Sequence, residues 1–226
     1  MKRIDAPEIL DSDACPARDV ELSMLDLGRV NRWFGGVTTT RRLLARIAQA
    51  TGLAHLSVLE VAAGLGEVPR IARQRLAKQG IDLELTLLDR AQAHLRRGNR
   101  SVVGDGLALP FRDASFDVVS SSLFVHHLPP PQIAEFVREA LRVSRRAVLI
   151  NDLVRHPVHL ALVYTAFPIM RSRVAWLDGL TSVRRAYVPD EMRAAILPAV
   201  SSNGRPRIEI SRHYLFRMGV IVWKAL

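Results

Sequence analysis

Residues 58–68 read VLEVAAGLGEV and residues 83–89 read LELTLLD. Each is a short apolar run with β-branched content. The first ends on an acid and a glycine-containing turn, the second on an acid, so strands are expected over Leu56–Val61 and Leu83–Leu88. Helical spacing from Arg70 to Gln79 lies between them, closed by Gly80. Outward from this pair the alternation continues. A helix is expected from about Ala91 to Arg97, then a short strand Ser101–Val103 ending near Asp105, a strand Phe116–Ser121, a helix Pro131–Val143 and a strand Ala147–Ile150. Strands alternating with helices predict βαβ units in a parallel sheet covered on both faces. Ile208–Leu215 and Met218–Val222 are separated only by a short turn, which predicts an antiparallel hairpin at the sheet's far edge.

Upstream, Val20 to about Ala50 is helical in pattern and broken at Gly35–Gly36, while residues 1–20 read as a polar leader of low structural content. Asp152–Tyr187 reads as a helical insert over a substrate pocket. Its Leu160, Val163, Tyr164, Phe167, Met170 and Trp176 are candidates to line a mostly apolar cavity. The whole is read as one domain: leader and helical lid over 1–50, cofactor core over 51–151, substrate cap over 152–190, and final helix with edge hairpin over 191–226.

Composition narrows the function. The 226 residues are 49% hydrophobic, which excludes disorder as the main state. A single cysteine, Cys15, excludes an intramolecular disulfide framework and a multi-cysteine zinc site. No apolar run approaches the roughly 18 residues of a membrane span, and the acidic N-terminus has no signal-peptide core, so a cytoplasmic location is expected. The net charge of +10 comes from arginines scattered as singles and pairs; only Lys2, Lys78 and Lys224 are lysine. No basic stripe interleaves with aromatics, so no dedicated nucleic-acid site is expected.

Ligands of a parallel sheet bind outside the carboxyl ends of its strands. Those ends carry Glu60 with Gly64 and Gly66, then Asp89, then Asp105, then Ser120–Ser122. A dinucleotide fingerprint starting at Gly64 fails at Pro69, and no phosphate-loop lysine is near. Glu60 would repel a phosphate but could hold a cationic amino group, and Asp89 could take ribose hydroxyls. A cationic nucleoside without phosphate fits: S-adenosylmethionine.

The strings VLEVAAGLGEV, LTLLDRA and GDGLALPFRDASFDVVSSSLFVHHL resemble the successive motifs of class I S-adenosylmethionine-dependent methyltransferases, over about residues 20–226. The resemblance implies a seven-stranded Rossmann-like sheet, mostly parallel with an antiparallel C-terminal hairpin strand, and S-adenosylhomocysteine as product. It implies that Glu60 orients the methionine amino group and that Gly64 and Gly66 admit the backbone to the cofactor. Asp89 would accept the ribose hydroxyls with Arg90 beside the adenine, Asp105 would hold the adenine amino group with Gly106 against the ring, and Ser121 and Ser122 would line the methionine arm. Ala62 departs from the family, which usually has glycine there. NRWFGGVTTTRR resembles the segment covering the cofactor in quinone-ring C-methyltransferases, making Asn31, Arg32 and Trp33 lid candidates, with core packing the alternative for Trp33.

Base, cytosine and arginine methylation motifs are absent after the fourth strand. RSRVAWLDGLTSVRRAYVPDEM resembles methyltransferases that act with type III polyketide synthases. The acceptor implied is small and largely apolar, a phenolic polyketide of secondary metabolism or a quinol-like ring. An RNA methyltransferase and a non-catalytic cofactor-binding protein are the alternatives, and the chain is expected to be a monomer or homodimer. His126 and His127 follow the fourth strand, where a histidine of ordinary pKa near 6.5 would serve as general base to a phenol. His126 is preferred, with His156, His159 and Tyr164 in reserve; His94 and His213 read as surface residues. No metal spacing is read among the seven histidines.

Overall fold

A computed structural model describes residues 1–11, 15–92, 95, 100–200 and 207–224. The strands are β1 (His55–Val61), β2 (Asp82–Asp89), β3 (Ser101–Val103), β4 (Phe116–Ser122), β5 (Ser144–Leu153), β6 (Ile208–His213) and β7 (Arg217–Trp223). They form one sheet in the order β3-β2-β1-β4-β5-β7-β6. The first five pair in parallel, whereas β7 runs antiparallel to both β5 and β6. The expected hairpin is therefore present, with β7 as its inner strand. β5 extends beyond the expected Ala147–Ile150 at both ends, because β4 pairs with it at Ser144 and β7 pairs with it as far as Leu153. Most of the helix expected near Ala91–Arg97, together with His94, lies outside the described residues.

Buried on both faces, the strands alternate between two cores. On one face Val58, Val118, Ala147, Leu149 and Ile221 pack with Leu44, Ile47 and Leu76, from the helices α2 (Gly36–Thr51) and α3 (Glu67–Ala77). On the other, Val61, Val119, Val148, Ile150 and Val220 pack with Phe136 and Val137 of α4 (Pro130–Val143) and Ile196 of α7 (Pro189–Val200). Gly35 in the left-handed region separates α1 (Ala17–Trp33) from α2, which accounts for the break read at Gly35–Gly36. The insert folds as α5 (Pro157–Thr165) and α6 (Arg173–Arg185). No helix among the described residues is long and apolar enough to cross a membrane.

The leader differs from expectation. It has little regular structure, yet it is fastened to α6. Ile4 N–H donates to Arg184 O, Arg3 Nε donates to Arg185 O at 2.7 Å, and the amides of Ile9 and Leu10 donate to the two carboxylate oxygens of the buried Asp178.

Candidate active site

The α2 face of the sheet changes character along its strands. Val58 is followed on that face by Glu60, Val118 by Ser120 and Ser122, and Leu149 by Asn151. The register aligns Glu60 with Ser120 and Ser122 with Asn151, so an apolar stripe ends in a buried polar patch. The first turn of α2 covers it: Asn151 Nδ2 donates to Gly36 O and Thr40 Oγ1, each at 2.8 Å, and Thr40 Oγ1 lies 3.4 Å from Ser122 Oγ. Burial pushes the Glu60 carboxyl up to about 7, against the opposing pull of the neighbouring Ser120 and Ser122 hydroxyls. On this face Glu60 Oε2, Ser120 Oγ, Asn151 Oδ1 and, in the first turn of α2, Thr39 Oγ1 are buried without a hydrogen-bond partner; Ser121 Oγ, also unpartnered, stands on the opposite face beside Val61. Each such atom costs about 1–3 kcal/mol, so their concentration here fits a polar ligand.

Beside the patch the turn after β1 holds Ala62, Gly64 and Gly66 at φ of 53°, 52° and 67°. A Cβ on Gly64 would meet nothing within 4 Å, which leaves the backbone open to a ligand, whereas one on Gly66 would strike Leu87 Cδ1 at 2.5 Å. Gly106 is equally confined, its Cβ falling 2.9 Å from Val61 Cγ1. Asp89 Oδ2 accepts from Gly64 N–H at 2.8 Å and Oδ1 from Ala91 N–H at 2.9 Å, so this acid also fastens the turn to β2. Asp105 is exposed and accepts from Leu107 N–H through Oδ1; Arg90 is exposed beside Asp89. Of the lid candidates, Arg32 pairs with Glu67 at the start of α3, and buried Asn31 accepts from Arg217 Nη2 at 2.9 Å. Trp33 is exposed with the Arg29 guanidinium over its ring, which corrects the core-packing alternative.

His126 lies in a short 3-10 turn, Val125–His127, and is buried. Its Nδ1 is 2.7 Å from Asp152 Oδ1, and its N–H donates to Asp152 Oδ2 at 3.0 Å. On the other side of the ring, Nε2 has no hydrogen bond, and Glu8 Oε1 stands 3.5 Å away. Glu8 also faces His127, whose Nε2 is 3.8 Å from Oε2, and accepts from Ser182 Oγ at 2.7 Å. Burial opposes charge on the His126 ring, but the Asp152 charge and hydrogen bond, joined by the nearby Glu8 carboxylate, raise it to about 9. Burial likewise opposes ionisation of Asp152 and Glu8, and His126 holds both below the usual carboxylate range.

The expected free base is thus a buried imidazolium clamped between two carboxylates. The donor atoms of Glu8, His126 and His127 converge within 4.8 Å, a spacing adjacent histidines did not suggest. The proton on His126 supplies the positive charge these carboxylates need.

The reserve candidates have other tasks. His156 Nδ1 accepts from Val158 N–H as the cap of α5. His159 is buried on Phe216 with Nδ1 3.1 Å from Val154 O, and burial pushes it down to about 4. His213 lies 2.8 Å from Ser211 Oγ on β6, and Tyr164 is exposed. Sequence reasoning missed Glu8, Thr40, Asn151 and Asp152. Only Asp152 carried a usable signal, as a further acid just past an expected strand.

Comparisons with known proteins agree with this geometry. A methyltransferase-domain family model matches residues 59–150. The demethylmenaquinone methyltransferase of Renibacterium salmoninarum is 31% identical over 196 residues, covering 83% of this chain and 75% of that protein. The demethylmenaquinone methyltransferase of Paenarthrobacter aurescens is 28% identical over 196 residues, covering 83% and 70%. Among solved structures, the plantazolicin methyltransferase BpumL in complex with SAH superposes with a TM-score of 0.67 at 12% identity, covering 95% of this chain and 92% of that one. Taken with the sheet order and the acid-tipped strands, these likenesses establish that the chain belongs to the class I methyltransferases, small-molecule enzymes whose cofactor is S-adenosylmethionine.

Proposed function

We propose that the chain methylates an electron-rich aromatic ring, a quinol in first place and a phenolic polyketide in second. The kinship with demethylmenaquinone methyltransferases supports the acceptor class. The observation that carries the chemistry is His126, buried between Asp152 and Glu8 just past the carboxyl end of β4. When bound, S-adenosylmethionine supplies a methyl group already activated on sulfonium, so alignment and water exclusion do much of the work. Glu60 would hold its ammonium group, Gly64 would let the backbone approach it, Asp89 would take the ribose hydroxyls and Asp105 the adenine amine, with Ala62, Gly66, Arg90, Gly106, Ser121 and Ser122 around them.

His126 has a different task. An acceptor hydroxyl that takes the place of Glu8 opposite Nε2 removes one of the two carboxylates holding the ring charged. The ring pKa then falls, the Nε2 proton leaves with the displaced Glu8 carboxylate or to water, and the neutral Nε2 accepts the hydroxyl proton while Asp152 keeps the Nδ1 proton in place. The leader thus acts as a latch that yields to substrate.

Trideuteromethyl-labelled cofactor offered with a short-chain demethylmenaquinol, an alkylresorcinol and bulk RNA tests this. Mass spectrometry should find label on the quinol or the phenol, and NMR of the product distinguishes carbon from oxygen. Label on RNA alone, or none despite tight binding of S-adenosylhomocysteine, would overturn the proposal in favour of RNA methylation or a cofactor-binding protein without activity.

A further inference from the structure

Residues 157–170, PVHLALVYTAFPIM, carry no carboxylate and no lysine or arginine, and form α5 and the 3-10 turn that follows it. A helix apolar on every side belongs inside a core or a membrane, yet this one lies on the surface. Val158, Leu162, Tyr164, Phe167 and Ile169 are 42–54% exposed, whereas Leu160, Val163, Met170 and Trp176 are half-buried. Trp176 half-closes the inner side through edge contacts with Tyr164 and Phe167. The patch continues onto α1, where Arg29 donates to Ile169 O and covers the exposed Trp33. A contiguous apolar patch with aromatic rings at its rim marks an interaction surface.

Charge decides the partner. From 153 to 177 the sequence has no acid, and Arg171 and Arg173 follow directly on the apolar run. Both are exposed, and among the described residues neither is paired with a carboxylate. On the neighbouring helix Arg29 and Arg32 are paired with Asp26 and Glu67, so the uncompensated positive charge beside the apolar and aromatic side chains is that of Arg171 and Arg173. That combination fits an anionic bilayer, with apolar groups entering the interface and arginines meeting headgroups. A nine-residue helix can lie in that interface but cannot span it.

We propose that α5 and the turn after it dock the enzyme on anionic lipid, so that a membrane-dissolved acceptor is taken up from the bilayer. The docking surface stands on the observations above, and the acceptor it serves rests on the quinol reading.

Flotation of the full chain with phosphatidylcholine vesicles, and with vesicles containing about one third phosphatidylglycerol, tests it. The chain should float with anionic vesicles, several-fold less with neutral ones, and several-fold less at 0.5 M salt, where exposed charges are screened. Leu162→Ser with Ile169→Ser should weaken flotation at least tenfold, and Arg171→Ala or Arg173→Ala about fivefold each. S-adenosylhomocysteine affinity in these variants should be unchanged, which separates lost docking from misfolding. Absence of flotation, or flotation indifferent to these substitutions, would overturn the proposal. So would a dimer in light scattering that the Leu162/Ile169 pair dissociates, because the patch would then bind a second copy. Flotation without methylation of any quinol would sustain the docking surface and refute the quinol reading alone.

Discussion

Around Glu60, four buried polar atoms at the strand ends and the first turn of α2 have no hydrogen-bond partner. Around His126, each buried charge faces an opposite one: Asp152 at 2.7 Å on one side and Glu8 at 3.5 Å on the other. The first region is incomplete without a ligand, and the second completes itself with a piece of its own leader. A cofactor common to every turnover can be met by fixed, unsatisfied groups, whereas an acceptor that comes and goes needs a site that stays satisfied between visits.

The sharpest break in that contrast is Glu60→Gln. A carboxyl pushed up from 4.5 to about 7 disfavours its charged form in the fold, so it lowers stability increasingly as pH rises from 4.5 to 7, by roughly 3 kcal/mol at the upper end. Glutamine removes that burden but cannot meet an ammonium group as an anion. S-adenosylhomocysteine affinity measured by calorimetry should fall about 100-fold, about 2.7 kcal/mol. Melting temperature should rise at pH 8 and stay unchanged at pH 4.5. In the wild type the affinity should strengthen as pH rises toward 7, with proton release detectable in buffers of different ionisation enthalpy. A variant that loses affinity and stability together would show that Glu60 is structural.

The same contrast explains what could be read before the structure. Glu60, Asp89 and Asp105 were legible because parallel strands expose their carboxyl ends in sequence order, and period-two alternation fixes which residues stand there. The hairpin of β6 and β7 was legible from its short turn. Glu8 was not, since its partner lies 118 residues away and the leader lacks any periodic pattern to place it. Thr40 and Asn151 escaped because their roles depend on α2 crossing the end of β5, a tertiary fact with no local signature. The outward side of the insert, with Val158, Leu162 and Ile169, was not legible, because composition does not say which way an evenly apolar helix faces.

Glu8→Gln sharpens the acceptor side with a smaller effect. Removing this carboxylate leaves Asp152 as the only anion among the described residues within hydrogen-bonding reach of the His126 ring, so the ring pKa should fall by about one unit. The ascending limb of kcat/KM against pH should move about one unit toward acid, and the rate at pH 7 should rise several-fold. A role limited to packing would lower the melting temperature and leave that limb in place. The latch has its own pH window. The His126 contribution is present below 6.5 and lost as pH rises through about 9, while that of Glu8, whose pKa is lowered, is present above 4.5 and lost on acidification. Limited proteolysis should therefore cut the leader fastest outside these limits.

The smallest expected effect concerns Ala62, held at φ 53° where left-handed backbone costs a non-glycine residue about 1–2 kcal/mol. Ala62→Gly relieves that cost but enlarges the unfolded ensemble, which returns about 0.4–1 kcal/mol, so a net gain of about 0.5–1 kcal/mol is expected. At this chain length that is a rise of about 1–4 °C in melting temperature. Ala114, at φ 51° before β4, is the control, because its strain is similar and it lies outside the turn after β1. Ala114→Gly should give the same thermal gain and no change in S-adenosylhomocysteine affinity. If Ala62→Gly gains stability and loses affinity while Ala114→Gly only gains stability, the strain in the turn belongs to cofactor binding. Equal behaviour of the two would make it a tolerated departure, carried by the Asp89 bond to Gly64 that holds the turn in place.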